Sequence, residues 1–161
     1  MFREMRRKKQ QLSEAETIAM LQTCTSGVLA VLGDDGYPYA VPLSFAYQDG
    51  KLFFHSAVNG HKIDAISKHE KVSFCVIQAD EVVQATFTTH FRSAVVFGKA
   101  RILTDDAEKR HALQCLAEKY SPDYLADSPG VIERAWNRVS VFEIQVEHMT
   151  GKAAIELVDH E

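Results

Sequence analysis

The densest run of chemically capable side chains is Phe54-His55-Ser56-Ala57, followed after Val58 by Asn59-Gly60-His61-Lys62. Gly60 permits close backbone approach, and the start of a helix points unpaired N–H groups outward. With His61 and Lys62 adding donors, the segment could cradle a phosphate. The same residues also read as an ordinary turn at Asn59-Gly60 followed by a solvated lysine. Pro42-Leu43-Ser44 forms a second cluster. A proline that cannot donate a ladder hydrogen bond, beside small side chains, suits either an approach surface for a flat ligand or an edge strand guarded against aggregation. Arg92-Ser93 is the third cluster, where Arg92 either holds an anion or is simply solvated.

Other chemistries find no constellation. The seven histidines, at 55, 61, 69, 90, 111, 148 and 160, show no H-x-x-x-H or H-E-x-x-H spacing, so no metal site is expected. Cys24, Cys75 and Cys115 are odd in number, widely spaced and without a C-x-x-C partner, and read as small core residues. No G-x-S-x-G, P-loop or G-x-G-x-x-G occurs, and Gly33-Asp34-Asp35-Gly36 reads as a hairpin turn.

The elements that must position these residues belong to one domain of 161 residues. Lys and Arg number 18 against 22 Asp and Glu, a formal charge of −4, which disfavours a dedicated nucleic-acid binder. Hydrophobic residues at 46% and charged residues at 25% match globular averages and exclude a disordered or fibrous chain. No apolar run approaches the ~20 residues that span a bilayer, and the charged start lacks an apolar continuation, so the expectation is a cytoplasmic protein without membrane contact. The basic segment 1–11 is expected to be a mobile arm.

Ser13 with Glu16 makes a capping box for a helix over 13–23. Strands are expected over 28–32, 37–47, 52–56, 71–79, 82–88, 92–103 and 138–148, with Gly98 marking a bulge that lets a sheet curl. Helices are expected over 61–68 and 105–120, and one or two helical turns over 131–136. Six or seven strands joined by short turns, with two to four helices, predict a mainly β (α+β) fold: an antiparallel barrel with helical additions.

Several segments in order now resemble a known family. Gly36-Tyr37-Pro38-Tyr39 runs into Val41-Pro42-Leu43. Gly50-Lys51-Leu52-Phe53-Phe54-His55-Ser56-Ala57 precedes Gly60-His61-Lys62-Ile63-Asp64. Phe91-Arg92-Ser93-Ala94-Val95-Val96-Phe97-Gly98 and a closing Thr150-Gly151-Lys152-Ala153 complete the set. Together they resemble the pyridoxamine 5′-phosphate oxidase-related flavoproteins, most of all their nitroimidazole-resistance subgroup.

The resemblance implies an FMN-binding split β-barrel, with FAD or haem as alternative cofactors, working as a homodimer with a flavin at each of two sites across the interface. By position, Pro42, Leu43 and Ser44 with Phe54, His55, Ser56 and Ala57 would border the flavin ring, largely through backbone. His61 and Lys62 would hold the phosphate. Arg92, Ser93, Met149 and Lys152 would complete the pocket, some of them from the partner chain. The oxidases proper have Arg-Lys where this chain has His61-Lys62, and tryptophan where it has Met149, and their pyridoxal-phosphate-binding residues find no match. The implied activity is therefore reduction of a small electrophile such as a nitroimidazole, with His55 as the substrate-facing catalytic group or, alternatively, a brace for its loop. A haem-handling protein and a non-catalytic flavin carrier are the rival readings.

Overall fold

The computed structural model describes residues 1–158; residues 159–161, His160 among them, lie outside the described residues. Ser13 opens the first helix, α1 (Glu14–Thr23), as its spacing predicts. A Glu16 carboxylate oxygen accepts the Ser13 N–H at 2.8 Å and Ser13 Oγ accepts the Glu16 N–H at 3.2 Å, so two otherwise unpaired donors are satisfied. The bonds that the Glu16 carboxyl accepts from Ser13, from the N–H first and then from the hydroxyl at 2.9 Å, hold it below its usual range.

β1 (Gly27–Leu32) returns through the Asp34–Gly36 turn as β2 (Pro38–Leu43). The single strand expected over 37–47 is instead two, because the chain leaves β2 at Ser44-Phe45 and restarts as β3 (Ala46–Gln48) on another part of the sheet. β4 (Lys51–Ala57) and α2 (His61–Lys68) follow. β5 (Lys71–Val83) and β6 (Thr88–Ile102) form one long hairpin through a 3₁₀ turn at Gln84–Thr86. The separate strand expected over 82–88 does not form, since Ala79 to Val83 pair directly with Arg92 to Thr88 across that turn. α3 (Asp106–Tyr120), α4 (Ser128–Ala135) and β7 (Val139–Ala153) complete the chain, with β7 running past the expected end at His148.

All seven strands join one antiparallel sheet in the order β2-β1-β5-β6-β7-β4-β3. The two edge strands, β2 and β3, are consecutive in the chain and linked only by Ser44-Phe45. From Leu43 to Ala46 is three Cα steps, so the edges meet within about 11 Å and the sheet must curl almost onto itself. Gly98 assists as expected: the β6–β7 register shifts between Phe97 and Gly98, and a Cβ at Gly98 would collide with the Gln145 carbonyl oxygen.

The curled interior is filled mainly by Phe45, Phe54, Phe74 and Phe142 with aliphatic neighbours from every long strand, and Ile63 and Ile66 of α2 join them. Phe54 stacks on Phe142 at 4.8 Å and meets Phe74 edge-on at 5.2 Å. A second, smaller core lies outside the sheet, where Phe53 and Val141 pack against Ala112, Cys115 and Leu116 of α3.

The segment 1–11, expected to be a free arm, is laid along β7. Phe2 stacks on the His148 ring at 4.9 Å, Gln11 bridges to Lys152, and the Leu12 N–H donates to the Gly151 carbonyl at 2.9 Å. The physical reason is that β4 stops pairing with β7 at Gln145, which leaves the last residues of β7 one open side. Cys115 is buried while Cys24 and Cys75 are half-buried, and none forms a disulfide; burial pushes all three thiols above their ordinary pKa. Among the described residues no helix is long and apolar enough to cross a membrane.

Candidate functional site

The seam where the sheet fails to close gathers the first group of candidate residues. β3 pairs only with Lys51 to Phe53 of β4, so the stretch from Phe54 to Ala57 has no strand on that side. β2, as the other edge, carries Pro42 and Leu43, and Ser44 follows directly after it. Pro42 and Ser44 are exposed, and Leu43 is half-buried against the core. Both edges therefore offer main-chain donors and acceptors to whatever occupies the seam. Phe54 belongs to this group only through its backbone, because its ring is fully enclosed in the interior core.

β4 delivers the chain through Val58-Asn59 to the start of α2. Gly60 sits there with φ 150°, a conformation open to glycine, and no side chain caps the helix. The first helical N–H groups, at His61, Lys62 and Ile63, lack side-chain acceptors, and the helix dipole adds partial positive charge. Lys62 is half-buried. His61, by contrast, is turned away: its ring stacks on Tyr39 at 4.1 Å and Nε2 accepts the Asp34 N–H at 3.3 Å. Its side chain ties α2 to the β1–β2 turn, so an anion here is offered main-chain N–H groups and Lys62 rather than the imidazole.

His55 and Ser44 face a different space. They lie on the floor of a groove of about 460 Å³ between β4 and the helices α3 and α4. Leu113, Leu116, Ala117, Tyr120, Val131 and Ile132 are among its apolar walls, with Asp127 also in its lining. Among the described residues, neither the His55 ring nor the Ser44 hydroxyl is bonded to another group.

Arg92, Ser93, Met149 and Lys152 form a separate cluster on the β6–β7 ladder. Ser93 stands opposite Lys152, Arg92 opposite Ala153 and Met149 opposite Val96. The Arg92 guanidinium donates to Gln78 Oε1 at 2.9 Å and lies 3.9 Å from Glu16. None of the four lines the groove that holds Ser44 and His55.

Two further residues hold the seam, and their pattern in the sequence showed only part of their work. Tyr120 accepts the Phe45 N–H at 2.9 Å and lies within hydrogen-bond distance of the Phe45 and Thr25 carbonyls. Lys119 donates from Nζ to the carbonyls of Leu21 at 3.4 Å, Cys24 at 2.5 Å and Phe45 at 2.9 Å. Burial lowers its pKa to about 8. The pair thus binds the last turn of α3 to the crossover beside Ser44. The only advance signal was a polar–aromatic couple ending a long helix.

A single antiparallel sheet curled around an aromatic core, open along one seam and flanked by helices, is a split β-barrel. The chain belongs to the pyridoxamine 5′-phosphate oxidase family, whose family model matches residues 13–153. Among solved structures it is similar to a Bacteroides thetaiotaomicron VPI-5482 protein assigned provisionally to 5-nitroimidazole antibiotic resistance. The identity is 26%, with 89% of this chain and 86% of that one covered at a TM-score of 0.74. It is also similar to an FAD-binding protein of Mesorhizobium loti, at 28% identity over 89% of this chain and 96% of that one, with a TM-score of 0.61. An FAD and haem binding protein of Mycobacterium smegmatis shares the fold at 19% identity, covering 95% of this chain and 77% of that one with a TM-score of 0.79.

Proposed function

We propose that this chain is a flavin-dependent oxidoreductase that holds FMN along the seam and reduces a small electrophile of the nitroimidazole type. One observation carries the reading: two open strand edges, β2 at Pro42-Leu43 with Ser44 just beyond it and β4 at Phe54 to Ala57, lie beside a helix start that no side chain caps. Edge amides and carbonyls suit the hydrogen-bonding rim of a flat heterocycle, and the start of α2 with Lys62 suits a phosphate. The flavin supplies the electron-transfer chemistry when bound. The protein's own residues orient it, and His55 presents a hydrogen-bonding imidazole to the substrate from the outer face of β4. The names of the Bacteroides and Mesorhizobium relatives support the substrate type and a flavin.

The reading includes a homodimer in which Arg92, Ser93, Met149 and Lys152 of one protomer complete the pocket of the other. What supports this is their separation from the groove of their own chain, together with exposed apolar side chains at Val28 and Leu32 on β1, Ile77 on β5 and Phe97 on β6. Three free thiols fit a cytoplasmic setting.

An absorption spectrum of the purified protein tests the cofactor, and an anaerobic assay with reduced nicotinamide and a nitroimidazole tests the activity. Lys62→Ala is expected to weaken flavin retention by about 1–3 kcal/mol, the scale of a charge-assisted hydrogen bond. Unchanged FMN affinity in a titration of that variant removes the phosphate assignment. A haem spectrum in place of a flavin one would favour the second reading, in which the unpartnered His55 ring serves as axial ligand.

A further inference from the structure

We propose that the groove between β4 and the α3–α4 helices is a binding site for an uncharged, flat aromatic molecule larger than a single ring. Its role in turnover rests on the flavin reading above, whereas the binding itself does not need flavin. The volume of about 460 Å³ falls within the roughly 300–1,000 Å³ of small-molecule sites and exceeds what one five-membered ring fills.

The lining decides the chemistry. Leu113, Leu116, Val131 and Ile132 supply apolar walls and Tyr120 and Tyr124 supply aromatic ones. No Lys or Arg lines the groove among the described residues, and Asp127 contributes a carboxylate to it. A phosphate or sulfonate entering here would lose water without gaining a fixed cation, and would meet that negative charge. The His55 ring and Ser44 hydroxyl instead provide hydrogen-bonding groups for one polar edge of the ligand. This excludes phosphorylated substrates from the groove, although the family takes its name from one.

A matched pair of fluorescent probes tests this: N-phenylnaphthylamine, which is neutral, and anilinonaphthalenesulfonate, which carries an anionic group on similar rings. Titrated into the 161-residue chain with and without FMN, the neutral probe should bind at least about tenfold more tightly than the sulfonate in both states. Ala135→Trp, which fills the groove, should weaken the neutral probe by about tenfold or more while leaving FMN uptake intact. Val131 is half exposed, so Val131→Lys keeps the fold and should raise sulfonate affinity by supplying the missing cation. Phe87, at 97% exposure on the β5–β6 turn, controls for general surface binding, and Phe87→Ser should change nothing.

Equal affinity for the two probes, neutral-probe binding that survives Ala135→Trp, a signal lost in Phe87→Ser, or no gain of sulfonate in Val131→Lys would each overturn the proposal. Displacement of the neutral probe by FMN would also overturn it, by making the groove the seat of the flavin ring. Probe binding without any FMN uptake would instead refute the flavin reading and leave the groove assignment standing.

Discussion

The two faces of β4 meet opposite surroundings, a closed aromatic core on one side and helices over a groove on the other. Leu52 and Phe54 point into the barrel, where Phe54 is enclosed by Phe74 and Phe142 while the Lys119 ammonium caps the neighbouring Phe45 ring at 3.9 Å. Phe53 and His55 point the other way, beneath helices. α3 covers Phe53 tightly, but α4 stands off and leaves the space above His55 open. Consecutive residues thus serve opposite purposes. The inner face gains stability by close aromatic packing, while the outer face gives up packing to keep a cavity and two exposed polar groups, His55 and Ser44.

The largest expected effect breaks the inner face. Phe54→Ala should lose about 3–5 kcal/mol in urea unfolding, because the closed aromatic cluster cannot collapse around the cavity. A loss below about 1 kcal/mol would mean that the interior is as adaptable as the groove.

Next comes the seam, where both faces are held in place. Lys119→Met should cost about 1–3 kcal/mol, since it leaves three backbone carbonyls without their shared donor. Desolvation of the half-buried Lys119 ammonium lowers its pKa to about 8, against 10.5 when unfolded. Between those values the unfolded chain binds more protons, so the Lys119 contribution makes stability rise with pH across that window. The rise should vanish in Lys119→Met. Side-chain NMR showing an ordinary lysine pKa would refute the burial.

The smallest effect on stability sharpens the contrast. His55→Ala should leave unfolding within about 0.5 kcal/mol of the parent, as for a surface side chain with no partner. Turnover in the nitroimidazole assay should fall at undiminished flavin content. A destabilisation above about 1 kcal/mol with unchanged turnover would identify His55 as a brace for its loop rather than a substrate contact.

Much of the fold was legible in the chain. Ser13 and Glu16 mark a helix start, period-two patterns mark most strands, and Gly98 marks the bulge, because each depends on neighbours close in sequence. Two kinds of error have a common cause. The strand read through Ser44-Phe45 is apolar and alternating as far as Tyr47, and only the pairing of Phe45 with Tyr120 and Lys119 breaks it. The basic start of the chain looks solvated until the unpaired end of β7 is there to receive it. His61 similarly reads as an anion donor, and long-range packing on Tyr39 and Asp34 diverts its side chain.

By itself the sequence determined the class of fold, the family, and the local segments from which a seam and a helix start could be built. The fold class and the local segments follow from periodicity, capping and turn chemistry, which act over a few residues, and the family from the resemblance of several motifs in order. Only the tertiary structure decided that Phe54 faces inward and His55 outward into a groove, that α3 fastens the crossover, and that Arg92 and Lys152 lie apart from Ser44. Those outcomes depend on which distant strands pair and how far a helix stands from a sheet, and no short stretch of chain carries that information.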